Sequence, residues 1–322
     1  MDTLSHLALG VLVGRVCAGR GPASSSRWPL LYGAIAAELP DLDVVLNPFC
    51  SKLDALLAHR ALSHSLLLWL LVPPLLAWVG LRIHQQVDFG WRRRTLVLWA
   101  AWGSHLLVDL FNTYGTAYLS PFSAGRFAID ALPILDLTLL LSLSALAVAV
   151  VVGCSSQRRC RLLAWGGLAF TVAYLAVAVG TKMMIERWLH SHPAYAGCQL
   201  YTAPLPITIA QWMFVVDAPD CYLVGRMGPL EQPQTVVELP KNHHLMAPYA
   251  DNPKLQAVFR FMGGWCSVEP LPSGGLMLHD LRFSSMASTF PDAHVLSFSV
   301  NPSEQGLNIV PTRIRRHIGP WF

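Results

Sequence analysis

The sequence predicts an all-α polytopic membrane domain of about six helices, followed by a small extracytoplasmic domain of α+β or mostly-β type. Three observations carry this. Of 322 residues, 53% are hydrophobic and only 13% charged, against about 25% charged in an ordinary soluble domain. The apolar excess is uneven: residues 1–182 are dense in Leu, Ala, Val and Trp, while residues 198–322 hold most of the prolines. Arg-rich and Arg-poor loops also alternate along the first part. The mean hydropathy of +0.44 agrees with a chain partly solvated by lipid.

A spanning helix needs about 20 mostly apolar residues. The candidates run over 4–19, 28–46, 62–81, 95–113, 132–153 and 162–181. The first lacks the basic start and small-residue cleavage site of a signal peptide and is read as retained. Its Gly10 and Gly14 form a GxxxG pair that lets another helix approach closely. Residues 183–197 read as a helical linker. Beyond it, the β-forming runs Trp212–Val216, Tyr222–Val224, Thr235–Leu239, Leu276–Leu281 and Val295–Val300 are punctuated by Pro and Gly, with one helix near Pro253–Met262.

Orientation follows from the loops. Arg15, Arg20 and Arg27 separate the first two helices; Arg82, Arg92, Arg93 and Arg94 the third and fourth; Arg158, Arg159 and Arg161 the last two. The intervening loops carry only Lys52 and Arg60, and Arg126. Basic residues favour the cytoplasm, which places the N-terminus and the C-terminal domain outside. In that compartment one disulfide and one spare thiol are expected among Cys198, Cys221 and Cys266, with no preference for a pair. None of the seven cysteines shows a CxxC spacing, which disfavours a zinc ribbon or a thioredoxin-type site. The net charge of +4 gives no reason to expect a nucleic-acid partner.

The chemistry sits at helix ends. Asp2 and His6 open the first helix at i,i+4 spacing, and Glu38, Asp41 and Asp43 close the second. His59, Arg60, Ser63 and His64 open the third, and His105 and Asp109, again i,i+4, close the fourth. All four ends fall on the outer side by the Arg count. The i,i+4 spacing puts two side chains one turn apart on one helix face. Ionisable groups at membrane depth are costly unless paired or ligating, and imidazole with carboxylate is a donor set for Zn, Mn or Fe. Any one pair alone reads more simply as a hydrogen-bonded core pair, and Asp2 alone as a helix-terminal charge. Their convergence favours a metal site. Asp136 pairs with Arg126 or supports the site from behind. Ser63 is set aside as a nucleophile because adjacent residues on a helix do not face one another. The pair His243 and His244 reads as solvated.

The stretch His59-Arg60-x-x-Ser63-His64-Ser65 resembles the His-Arg-x-x-Thr-His-Ser motif of the YdjM-like inner-membrane metal-dependent hydrolases, with Ser63 in place of the usual Thr. The likeness extends to Asp2-x3-His6, Pro40-Asp41-x-Asp43 and His105-x3-Asp109. The resemblance implies a multi-pass inner-membrane protein that performs metal-dependent hydrolysis. A distant likeness to zinc-dependent phospholipase C implies a phosphoester substrate. On this reading Asp2, His6, Asp41, Asp43, His64, His105 and Asp109 hold one or two ions, Zn first and Mn or Fe otherwise. Glu38 or His59 acts as base or orients a ligand, and Arg60 holds a phosphate oxygen. The expected partners are membrane lipids, with a lipid or lipid-linked substrate; a protein partner is left open. The competing readings are a metal or proton transporter and a scaffold with a structural metal.

Overall fold

The computed structural model describes residues 2–19, 27–84, 89–152, 156–283, 296–303 and 306–312. Arg20, Cys154 and Val295 of the sequence reading lie outside these residues. The chain forms two compact units, Met1–Leu46 with Ala58–Val179, and Asn47–Leu57 with Gly180–Phe322.

The first unit is helical. It contains α1 (Thr3–Cys17), α2 (Trp28–Glu38), most of a 3-10 segment (Pro40–Phe49) and a 3-10 turn (Leu62–His64). The short α3 (Lys52–Ala58) separates those two 3-10 elements, and α4 (Leu66–Ile83), α5 (Trp91–Asp109), α6 (Leu137–Val152) and α7 (Gln157–Ser191) follow. Local chemistry sets the starts. Asp2 caps α1 by accepting from the Ser5 amide at 2.9 Å, and Ser65 caps α4 by accepting from the Leu68 amide at 3.2 Å. Asp136 caps the start of α6 by accepting from the Leu139 amide at 2.9 Å and also accepts from Tyr174 Oη at 2.8 Å. It therefore does not pair with Arg126, whose guanidinium donates to the carbonyls of Gly115 and His59.

Small residues let α1 and α2 meet backbone to backbone. A Cβ on Gly10 would fall inside the Gly33 carbonyl, and one on Gly14 inside the Pro29 carbonyl. The GxxxG reading of α1 is realised as this contact. Val13, Ala36, Ala37, Ala77, Leu98 and Ala101 fill the core between α1, α2, α4 and α5. Arg94 is fully buried and donates to Tyr32 Oη and the His84 carbonyl at 3.0 Å each, so this arginine clamps the start of α5 instead of standing in a loop.

The expectation of about six spans is overturned. Among the described residues only α4 and α7 are long and apolar enough to cross a membrane. At 1.5 Å per residue, the 15 residues of α1, 11 of α2 and 16 of α6 fall short of a hydrocarbon core of about 30 Å. The apolar run 28–46 breaks at Pro40 into the 3-10 segment. α5 has 19 residues but carries Arg92, Arg93 and Arg94 in its first turn and Asp109 at its end. Only 17% of the apolar window of α4 is buried, so its hydrophobicity is not that of a soluble core helix.

The second unit corrects the α+β or mostly-β expectation to two four-stranded antiparallel sheets with, among the described residues, a single α-helix beyond α7. One sheet is the meander β1 (Gln199–Pro204), β2 (Trp212–Asp217), β3 (Cys221–Met227), β4 (Gln234–Pro240). The other is β5 (Cys266–Pro270), β6 (Leu276–Asp280), β7 (Ser297–Ser303), β8 (Gly306–Thr312). Tyr201, Ala203, Met213, Val215, Tyr222, Val224 and Leu239 form the core of the first sheet together with Leu281. The α8 helix (Pro253–Phe261) is capped by Asn252 and buries Leu255, Val258 and Phe261. A buried Arg282 grips Asp280 through two hydrogen bonds of 3.0 and 2.7 Å. Cys198, Cys221 and Cys266 are all free thiols, against the expected disulfide. His243 is bonded to the Cys266 carbonyl at 2.6 Å and is not simply solvated.

Candidate metal centre

The helix ends of the first unit bring His6, Asp41, His64, His105 and Asp109 together. His6, His64, His105 and Asp109 have no exposure, and Arg60 beside them has 4%. Helical spacing sets His105 and Asp109 one turn apart, with His105 Nε2 3.4 Å from Asp109 Oδ2. The 3-10 turn delivers His64, whose Nε2 lies 3.1 Å from His105 Nε2, 3.3 Å from Asp41 Oδ1 and 3.5 Å from Asp109 Oδ2. His105 Nε2 lies 3.8 Å from Asp41 Oδ1. Tetrahedral metal bonds of about 2.0–2.1 Å set donor-to-donor edges of about 3.3–3.4 Å. Five measured edges of this four-donor set scatter around that value.

The hydrogen bonds behind the rings test the fit. His105 Nδ1 lies 2.6 Å from the Ala37 carbonyl, which only accepts, so Nδ1 carries the hydrogen and Nε2 presents its lone pair. Ser63 Oγ lies 2.9 Å from Asp43 Oδ2 and 2.9 Å from His64 Nδ1. The carboxylate takes the hydroxyl hydrogen, the hydroxyl oxygen accepts from His64 Nδ1, and His64 Nε2 is left as a second lone pair. Two lone pairs facing each other at 3.1 Å repel unless a metal ion, or in its place a proton on His64, lies between them. Asp41 Oδ1 and both ring nitrogens of His6 are buried without a well-formed hydrogen bond, although His6 Nε2 lies 3.3 Å from Asp109 Oδ1. The residues present fit a divalent ion.

Two further groupings share donors with this set, His6 with His105 and Asp109, and Asp41 with Asp43 and His59. The His6 ring stacks on that of His105 at 3.7 Å. Asp43 is shared among several partners: it accepts from Ser63 and the Arg60 amide and faces His59 Nδ1 at 3.1 Å. Asp2, expected among the ligands, is not brought in. Both its oxygens are engaged by Ser5, at 2.9 and 2.6 Å. Ser63 does meet its neighbour His64, because a 3-10 turn places them differently from an α-helix, yet its bond to Asp43 makes it a support for the ring.

Electrostatics favour ionised carboxylates at the centre. Burial works against ionisation of Asp41, but the His64 hydrogen bond and the His105 and His64 charges outweigh it and hold the carboxyl well below the usual range. Burial opposes ionisation at Asp43 too, and bonding with His59 and Ser63 lowers it. Glu38 goes the other way, pushed up to about 7 by burial and then by the charges of Asp41 and Asp2.

Arg60 occupies a left-handed backbone conformation, φ 59°, fixed by its amide on Asp43 and by the Ala117 amide donating to its carbonyl at 2.9 Å. Its Nε approaches Asp109 Oδ2 to 3.3 Å, while Nη1 is buried with no hydrogen-bond partner. Tyr114 lies between two cations, with the Arg60 and Arg126 guanidinia 5.2 and 5.4 Å from its ring centre. The sequence reading missed the Ala37 carbonyl, a backbone group with no side-chain signal, and Tyr114, which no motif marks.

The protein named Uncharacterized protein YfhP of Bacillus subtilis (strain 168) is 27% identical over 239 residues, which cover 70% of this chain and 68% of its own. Inner membrane protein YbcI of Escherichia coli (strain K12) is 34% identical over 116 residues, 35% of this chain and 65% of its own. No solved structure matches the chain. None of these matches speaks to the likeness with zinc-dependent phospholipase C. The family model described as YdjM inner membrane protein matches residues 1–185, a stretch that contains every residue of the cluster. The chain belongs to the YdjM inner membrane protein family.

Proposed function

We propose that this inner-membrane protein is a metal-dependent hydrolase of a phosphoester that is part of, or linked to, a lipid. The observation that carries the reading is the convergence of His64, His105, Asp41 and Asp109 on one point beside the buried guanidinium of Arg60. Those four donors would hold the ion, with His6 or the Asp43–His59 pair supporting a second. Two nitrogens and two oxygens suit Zn, and Mn or Fe accept the same donors. When bound, the ion supplies acidity to the attacking water and positive charge beside the phosphoryl oxygens. Arg60 Nη1 binds one of those oxygens. The water oxygen bonds to phosphorus while the ester oxygen leaves. Glu38 takes the water's proton, and His59, steadied by Asp43, returns one to the departing alcohol.

The site is proposed to face away from the cytoplasm. Arg158, Arg159 and Arg161 mark the start of α7, and Arg82 the end of α4, as cytoplasmic. The opposite ends are the one next to His64 and the one leading into residues 198–322.

Arg60→Lys keeps the charge and removes the planar fork. Phosphate release from a phosphoester panel should fall about 100-fold while metal content is retained. If zinc- or manganese-loaded wild type released nothing from any phosphoester, the hydrolase reading would be wrong.

A further inference from the structure

A cleft of about 480 Å³ opens between the start of α4, the end of α5 and the loop that follows α5. Its walls include Leu66 and Trp69 from the first turn of α4, Gly103 and Leu107 from the last turns of α5, and Leu119 and Phe127 from the loop between α5 and α6. The volume lies in the range of small-molecule sites, about 300–1,000 Å³. The lining is apolar almost throughout, so water inside would find few partners. In an inner-membrane protein, a dry cleft that begins at the first turn of one of the two helices able to cross the bilayer has hydrocarbon as its natural occupant.

The cleft and the polar centre are built from the same short segments. Ser65 separates Leu66 from His64, and Leu106 and Leu110, also in the lining, directly follow His105 and Asp109. Two consecutive loop residues connect the parts. Ala117 donates to the Arg60 carbonyl at 2.9 Å, and Tyr118 accepts from the Leu66 amide at 3.0 Å. Tyr118 Oη then donates to the Leu106 carbonyl at 2.6 Å. Through these bonds the wall is tied to Arg60, a buried residue whose Nη1 has no hydrogen-bond partner. An apolar wall tied to a guanidinium that keeps one donor unpartnered matches the order of groups in a phosphate-bearing lipid.

We infer that the cleft receives the hydrocarbon chain of an anionic phospholipid whose phosphate reaches Arg60 and the four-donor cluster. The inference rests on the hydrolase reading for the fate of the ester, and stands apart from it for the binding of the chain.

The test uses the full chain, zinc-loaded, in phosphatidylcholine nanodiscs doped with phosphatidic acid that carries a photoreactive diazirine on its acyl chain. Labelled peptides should concentrate on residues 103–110 and 118–127. Leu107→Trp, at a half-exposed lining position, should lower that labelling about tenfold with metal content unchanged. Gly103→Leu, which would crowd Trp69, is the second variant. Leu107→Trp should equally slow cleavage of a long-chain phosphoester and leave a short, water-soluble one unaffected. Labelling spread evenly over all lipid-facing helices, and insensitive to both variants, would overturn the cleft assignment whatever the activity. Labelling focused on the cleft in a wild type that cleaves no phosphoester would support the lipid site and sink the hydrolase reading alone.

Discussion

At the scale of single residues, the metal centre depends on what stands behind each imidazole. Ser63 hands His64 its orientation by donating to Asp43 and accepting from Nδ1, at 2.9 Å each. Ser63→Ala should therefore weaken metal binding about 10- to 100-fold, a usual cost of losing such a supporting group. Ser63→Thr, which keeps the hydroxyl, should restore it. Equal affinity in the Ala variant, measured by competition with a chelating dye, would remove Ser63 from the site. Most ligand candidates were legible at this scale because His and Asp are expensive at the ends of apolar helices. Asp2 was misjudged for a physical reason: a carboxylate one residue before a helix has a local use as a cap, and Ser5 takes both its oxygens. Asp136, read as a support of the site or a partner of Arg126, caps α6 in the same way.

At the scale of elements, the close crossing of α1 and α2 sets the site, since α1 carries His6 and α2 leads into Glu38 and Asp41. Gly33 packs against the Gly10 carbonyl with no room for a Cβ. Gly33→Val should cost about 1–3 kcal/mol of stability through overpacking and lower metal content by displacing His6 from its stack on His105. A variant with an unshifted Tm and full metal loading would show that the crossing does not control the site. Hydropathy placed the helices near their true positions but overcounted the spans. It cannot tell an apolar 3-10 segment such as Pro40–Phe49 from a helix, nor discount the arginines that open α5. In the second unit, β2, β3, β4 and β6 were legible from clustered β-formers. The strands β1, β5 and β8 were not, since Gln199, Glu269, Asn308 and the prolines at 204, 270 and 311 dilute the pattern.

At the scale of the whole molecule, two lines are independent: the Arg distribution assigns a side, and the side-chain geometry assigns a site. Leu230 is 92% exposed in the second unit. Leu230→Cys in intact spheroplasts should react with a membrane-impermeant maleimide, whereas Arg92→Cys should react only after permeabilisation. The reverse pattern would invert the proposed orientation and leave the metal centre untouched. Family membership supplies the inner membrane and no chemistry, so the proposed hydrolysis depends on whether the converging donors hold an ion. The direct measurement is metal content by mass spectrometry on detergent-purified wild type and His64→Ala. One or two equivalents of Zn, Mn or Fe in the wild type, lost in the folded variant, is the predicted result. No metal in either protein, after incubation with each of those ions, would contradict the metal centre and leave a proton as the bridge between the two facing imidazoles.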